Sequence, residues 1–339
     1  MTFGAISAIE YYLPANVLST ADLAAMYPEW SIEKIDRKTG ICERHVASGE
    51  EYVSDMAIAA AKRLFDADMC KPGDIDYCLL CTQSPDHLIP TTACVLQERL
   101  GLPNHCGCLD FNLGCSGYVY GIGLAEALIR SCQARTVLLI TAETYTKLLR
   151  PGDKACRTIF SDGAAATLIT QADGDQQIIG PFVYGTDGKG ARFLRANGTG
   201  TKAKSNPGPG ATETATTSND AYLFMDGPKV FDFAIAEVPK VVHALLRKAC
   251  LDVNAIDLFV FHQANAFLLE EIRRILDIPS ERFFIGLSKT GNTVSSTIPI
   301  ALKQAVLERR LRRGNLVMVV GFGVGLSWAA TIIRWTCAS

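Results

Sequence analysis

Three residues in this chain could carry acyl chemistry if the fold brings them together: Cys115, His262 and Asn292. Cys115 sits in Leu109-Asp110-Phe111-Asn112-Leu113-Gly114-Cys115-Ser116-Gly117-Tyr118, where an apolar strand-like run passes through small residues into a helical pattern. A cysteine at a helix start faces unpaired backbone N–H groups and the positive end of the helix dipole, both of which favour its thiolate. Its glycine neighbours let a thioester approach the backbone closely. His262 closes the strand-like Leu258-Phe259-Val260-Phe261 and opens His262-Gln263-Ala264-Asn265. Asn292 lies in Thr290-Gly291-Asn292-Thr293-Val294-Ser295-Ser296-Thr297, a polar stretch ahead of a helix. Taken singly, each has a plainer reading: a packing cysteine, a hydrogen-bonded structural histidine, an ordinary turn asparagine.

The elements that must position them alternate. Strand patterns over Ile75 to Cys81, Cys106 to Asp110 and Thr136 to Thr141 are separated by helical patterns over Thr92 to Leu100 and Gly117 to Ser131. A second series follows, with helices over Val230 to Cys250, Ala266 to Leu276 and Thr297 to Leu311 and strands over Leu258 to His262 and Leu316 to Gly321. This alternation predicts an α/β fold with a largely parallel central sheet in each of two similar halves, 1–172 and 173–339. Within the second half, Ala196 to Asp220 is rich in Gly, Ser, Thr, Asn and Pro. It reads as a mobile surface loop, with a lid over a substrate tunnel as its functional alternative.

Bulk properties narrow the function. At 339 residues, with 48% hydrophobic and 20% charged residues and a formal net charge of -2, the chain is too large for a small binding module. It also lacks the basic balance expected of a nucleic-acid partner. Met1 to Tyr12 has no signal-peptide pattern and no apolar run reaches bilayer length, so a cytoplasmic protein without membrane contact is expected. Twelve cysteines in a long chain without a secretion signal are expected to be mostly buried thiols. Cys78-Leu-Leu-Cys81 lies in an apolar strand pattern and has no second ligand pair, so it reads as core and no metal is implied. The glycines of Gly321 to Gly325 precede a strand-like run rather than a helix, which argues against a dinucleotide loop.

Order and flanking residues join the three candidates. Gly114-Cys115-Ser116-Gly117, His262-Gln263-Ala264-Asn265, Gly291-Asn292-Thr293 and Gly321-Phe322-Gly323-Val324-Gly325-Leu326-Ser327-Trp328 resemble β-ketoacyl-acyl-carrier-protein synthase III. The resemblance runs from Thr39-Gly40-Ile41 through Ser161-Asp162-Gly163-Ala164-Ala165 to Trp328, nearly the whole chain. It implies the thiolase fold, two pseudo-repeated α/β halves in five αβαβα layers, paired as a homodimer. Thiolases put a second cysteine at the third catalytic position and elongating ketosynthases a second histidine. Asn292 fits synthase III and the plant-type polyketide synthases, which are usually longer.

The implied reaction loads an acyl group from acyl-CoA onto Cys115, with the oxyanion held by the backbone N–H groups of Cys115 and Val324. A malonyl thioester, malonyl-ACP or malonyl-CoA, then loses carbon dioxide while His262 and Asn292 donate to the enolate, and the carbanion attacks the acyl group. Coenzyme A enters as the substrate's thioester; no permanently bound cofactor is expected. At the family's CoA-entrance arginines this sequence offers Lys38 and Lys154, beside Arg37 and Arg157. Phe267 replaces the arginine that docks acyl carrier protein, while Arg273 and Arg274 follow on the same helix. Ile89, Phe267 and Phe322 are candidates for the acyl pocket, and Val324 stands for a usual glycine. Two rivals share the fold: an acyltransferase that uses acyl-Cys115 without decarboxylation, and a silent partner subunit of a synthase heterodimer.

Overall fold

The structure, a computed structural model, describes residues 1–174, 177–196 and 222–337. In chain order the first half comprises strand β1 (Thr2–Tyr12), the short β2 (Asn16–Ser19), helices α1 (Thr20–Met26) and α2 (Ile32–Thr39), β3 (Glu43–Val46), α3 (Val53–Asp66), β4 (Tyr77–Cys81), α4 (Thr92–Arg99), β5 (Gly107–Phe111), α5 (Gly117–Arg130), β6 (Thr136–Glu143), the one-turn α6 (Lys154–Arg157) and β7 (Gly163–Asp173). The second comprises β8 (Ile179–Thr186), β9 (Leu194–Ala196), β10 (Leu223–Met225), α7 (Gly227–Ala249), β11 (Leu258–Phe261), α8 (Ala266–Ile275), β12 (Phe283–Phe284), α9 (Thr297–Leu307), β13 (Leu316–Gly323) and β14 (Ser327–Arg334). The loop expected over Ala196 to Asp220 lies, beyond Ala196 itself, outside the described residues.

Two five-stranded sheets repeat one topology. The first runs β1-β7-β6-β4-β5 and the second β8-β14-β13-β11-β12. In each, three neighbouring strands are parallel, the next is antiparallel to them and the outermost is antiparallel to that one. Strand for strand the second half repeats the first, which is the pseudo-repeat of the thiolase fold.

Burial patterns explain the layering. Helix α5 has the sequence GYVYGIGLAEALIR, apolar on nearly every side, so it must be covered from both faces. It packs with α9 between the two sheets, where Val119, Ile122 and Ile129 join Leu139 of one sheet and Val319 of the other in a single core. Gly117 makes this close approach possible, because a Cβ there would sit 2.3 Å from the Cys81 sulfur. The outer helices are amphipathic instead. On α7 the buried Ala234, Val238, Val241, Val242 and Leu245 recur at helical spacing and cover one sheet with Leu268 and Ile272 of α8. Helix α3 covers the other through Met56, Ala60 and Leu64. The order helix, sheet, helix, sheet, helix gives five layers.

Two expectations are corrected. All twelve cysteines are free, but five are buried, three partly buried and four exposed, so the thiols are not mostly buried. Cys132 and Cys250 sit at helix ends in left-handed conformation, where apolar sequence context does not imply a strand interior. Helix α9 stops at Leu307 rather than Leu311 because Arg309 takes a positive φ of 58°. Among the described residues no helix is long and apolar enough to cross a membrane.

Candidate active site

The turns that end at the two central helices point the same way. Cys115 lies between β5 and α5, Asn292 occupies the equivalent turn between β12 and α9, and His262 follows β11 directly. Cys115, His262 and Asn292, separated by up to 177 positions in sequence, line one cavity of about 560 Å³ together with Phe160, Phe322 and Gly323.

Cys115 is 6% exposed. Gly323 of β13 is so close that a Cβ on it would meet the Cys115 sulfur at 2.8 Å; any side chain there would compete with an acyl group for the same space. Burial pushes the thiol up to about 12, against the smaller opposing pull of the Val324 N–H and of the residue's own N–H. Desolvation therefore outweighs the helix-start stabilisation expected from sequence. Beneath it, Glu143 is fully buried and accepts hydrogen bonds from the Gln83 N–H at 3.0 Å and from the Ser84 and Ser295 hydroxyls at 2.9 Å. Burial raises its carboxyl to about 8, and its negative charge, when present, opposes a negative charge on the sulfur.

The other two polar groups are held neutral. Burial lowers the His262 imidazole to about 3; its Nδ1 lies 2.7 Å from Thr297 Oγ1, and its ring stands edge-on to Phe322 at 5.5 Å. Asn292 Oδ1 accepts from the Val294 N–H at 2.9 Å, which fixes the amide orientation. Its Nδ2 donates to Ala264 O at 3.3 Å, and the amide's remaining N–H is left for the cavity. The rest of the histidine motif is structural. Gln263 bridges Phe261 O and the Gly286 N–H, and Asn265 caps α8 by accepting from the Leu268 N–H at 2.9 Å.

Basic candidates separate into two groups. Arg37 and Lys38 of α2 line the cavity with Trp30, and the Lys34 and Lys38 ammonium groups lie 5.2 and 5.4 Å from the indole centroid. Lys154 is instead paired with Glu29, and neither it nor Arg157 lines the cavity, although their neighbours Ala155 and Thr158 do. Arg273 and Arg274 are engaged with Glu270 at 2.6 and 3.2 Å on their own helix, away from the lining. Among the apolar candidates, Phe322 and Phe267 both line the cavity. Phe267 is 51% exposed and stacked on Phe231 at 5.7 Å. Ile89 is 89% exposed and absent from the lining in the single chain. Trp30, Thr297 and Glu143 were not foreseen; an indole eight residues before Lys38 was the one available signal.

A thiol near 12 beside an imidazole near 3 makes a neutral pair. Alkylation of Cys115 by iodoacetamide, followed by peptide mass spectrometry, is therefore expected to rise about tenfold per pH unit from pH 6 to 9, because the thiolate is the nucleophile. A plateau below pH 8 would contradict it.

The comparisons with known proteins agree with this geometry. The family model for 3-oxoacyl-[acyl-carrier-protein] synthase III matches residues 109–188 and its C-terminal counterpart matches 246–335. The β-ketoacyl-[acyl-carrier-protein] synthase III of Caldanaerobacter subterraneus subsp. tengcongensis is 34% identical over 325 residues, covering 96% of both chains. This chain belongs to the β-ketoacyl-[acyl-carrier-protein] synthase III family. Among solved structures, a 3-oxoacyl-(acyl-carrier-protein) synthase III superposes with a TM-score of 0.93 at 45% identity, covering 98% of this chain and all of the other. The Thermus thermophilus synthase III superposes at 0.85 with 35% identity, covering 98% and 99%. Membership makes the protein a ketosynthase of the thiolase fold, an acyltransferase-type condensing enzyme of fatty-acid biosynthesis.

Proposed function

We propose that this synthase takes an acyl group from acyl-CoA onto Cys115 and joins it to malonyl-ACP by decarboxylative Claisen condensation. The observation that carries this reading is the set of groups converging on one cavity: the buried Cys115 thiol, the buried His262 imidazole and the Asn292 amide with a spare donor. In the first half-reaction the Cys115 sulfur attacks the thioester carbon, the carbonyl oxygen takes the negative charge near the Cys115 and Val324 N–H groups, and the C–S bond to CoA breaks. The thiol's proton leaves with coenzyme A. In the second, the malonyl carboxylate departs as carbon dioxide and its electron pair forms an enolate, whose oxygen accepts from His262 and Asn292. The enolate carbon attacks the acyl carbon and expels the Cys115 thiolate, which takes a proton from solvent.

Two uncharged donors suit this step, since neither carries a charge that would hold the malonyl carboxylate in place. At the mouth, Trp30 offers a flat face for a planar heterocycle and Lys34, Lys38 and Arg37 offer charge to phosphates, supporting coenzyme A as the donor's handle. Lysines meet phosphate as point charges rather than as forks, so salt should weaken this contact readily. The reading extends to a protein of the cytoplasm and to a homodimer, the latter supported by the exposed Leu109 on β5, an edge strand of its sheet.

The test supplies acyl-CoA together with malonyl-ACP or malonyl-CoA labelled at the free carboxyl. Carbon dioxide is expected in step with β-ketoacyl product, faster with the ACP thioester. Acyl transfer without carbon dioxide would establish the non-decarboxylating acyltransferase instead, and no acyl-enzyme at all the silent subunit.

A further inference from the structure

Thr297, which opens α9, is buried at 3% exposure, and its hydroxyl oxygen lies between His262 Nδ1 at 2.7 Å and Val294 O at 3.1 Å. A hydroxyl has one proton to donate. If it goes to Val294 O, the imidazole must carry its own proton on Nδ1 to make the 2.7 Å contact, and Nε2 becomes a bare lone pair. If it goes to Nδ1, that nitrogen is the acceptor and the imidazole proton sits on Nε2. A 2.7 Å contact suits a bond in either direction; the enolate-donating role proposed for His262 requires the second arrangement.

We propose that Thr297 is a positioning residue that donates to His262 Nδ1, keeps the imidazole proton on Nε2, and so makes His262 a donor in the condensation half-reaction. This rests on the proposed division between acylation and condensation. A donor at Nε2 is what an enolate oxygen needs, while a lone pair there would repel it. Phe322, edge-on to the ring, and the bond from the His262 N–H to Val320 O at 2.8 Å hold the residue from the other sides. The hydroxyl is therefore the element that distinguishes the two nitrogens. The resulting chain has a direction: Thr297 donates to Nδ1 and Nε2 donates to the substrate, so polarisation of the second bond strengthens the first. The sequence places Thr297 only five positions after Asn292, so one turn supplies both the amide donor and the group that orients the other donor.

The experiment combines ¹⁵N NMR of histidine-labelled enzyme with the two half-reactions measured separately. In the unmodified protein, the His262 signals should show protonation at Nε2 and a lone pair at Nδ1 across pH 5 to 9. Thr297→Ser, which retains the hydroxyl, should keep both half-reactions within about threefold. Thr297→Val, of nearly the same shape, should load acyl-CoA onto Cys115 within about threefold while condensation falls tenfold or more. Protonation at Nδ1 in the unmodified protein would overturn the inference, as would a Val variant with normal condensation or one that loses both half-reactions equally. Failure of the unmodified enzyme to release carbon dioxide would instead remove the underlying functional reading, leaving the NMR assignment of the tautomer to stand or fall separately.

Discussion

Cys115→Ala protein is expected to take up no acyl group from acyl-CoA and to form product at a rate lower by on the order of 10⁶, the scale on which loss of a catalytic nucleophile is felt. Intact-protein mass spectrometry provides the direct reading: the unmodified protein gains the mass of one acyl group and the variant none. Thiols elsewhere do not confuse the result, because acylation at an exposed cysteine such as Cys94 or Cys132 would persist in the variant. The substitution removes one sulfur from the wall of a cavity rather than from a filled core, so the stability cost should be modest, about 1 kcal/mol, and the thermal transition should move by only a few degrees. A variant that acquires as many acyl groups per chain as the unmodified protein would remove Cys115 from the mechanism.

Asn292→Ala is expected to have the second largest effect, and a selective one. Loss of one donor to a developing oxyanion costs about 3 to 4 kcal/mol, or 10² to 10³ in rate; the loss should fall on condensation, with acyl loading changed by no more than a few-fold. The side chain has a structural duty as well, accepting from the Val294 N–H in a buried turn. Its removal leaves that donor unsatisfied at a cost of about 1 to 3 kcal/mol. Asn292→Asp separates the two duties, since it keeps an acceptor for Val294 but no amide donor. Stopped-flow acylation and carbon dioxide release on both variants decide the matter: equal loss of both half-reactions would mean a collapsed turn rather than a missing donor.

Much of this site was legible because each candidate stands at the end of a regular element. The apolar run before Cys115 and the helical pattern after it fix a strand-turn-helix, found as β5 and α5 within a residue of the expected bounds, and Leu258 to Phe261 is a strand as read. Strand direction was not legible in detail, since burial alternates or fills alike in parallel and antiparallel strands; the antiparallel β7 and β14 follow from topology. The backbone N–H groups that favour the Cys115 thiolate were legible from the helix start, whereas the burial that opposes them was not. The pairing of Arg273 and Arg274 with Glu270, three and four residues before them on α8, follows a spacing visible in the sequence. Thr297 and Glu143 were missed because a buried hydroxyl or carboxyl acquires its meaning from neighbours 35 and 152 positions away, His262 and Ser295.

The repeated half-fold has a consequence for how the chain becomes active. The equivalent turns before α5 and α9 carry different residues, Cys115 in one copy and Asn292 in the other, and the central layer brings them together only when the two sheets close over both helices. A folding intermediate with one half formed holds either the sulfur or the donors but never both. Activity during refolding is therefore expected to appear with the docking of the halves rather than with the formation of either one.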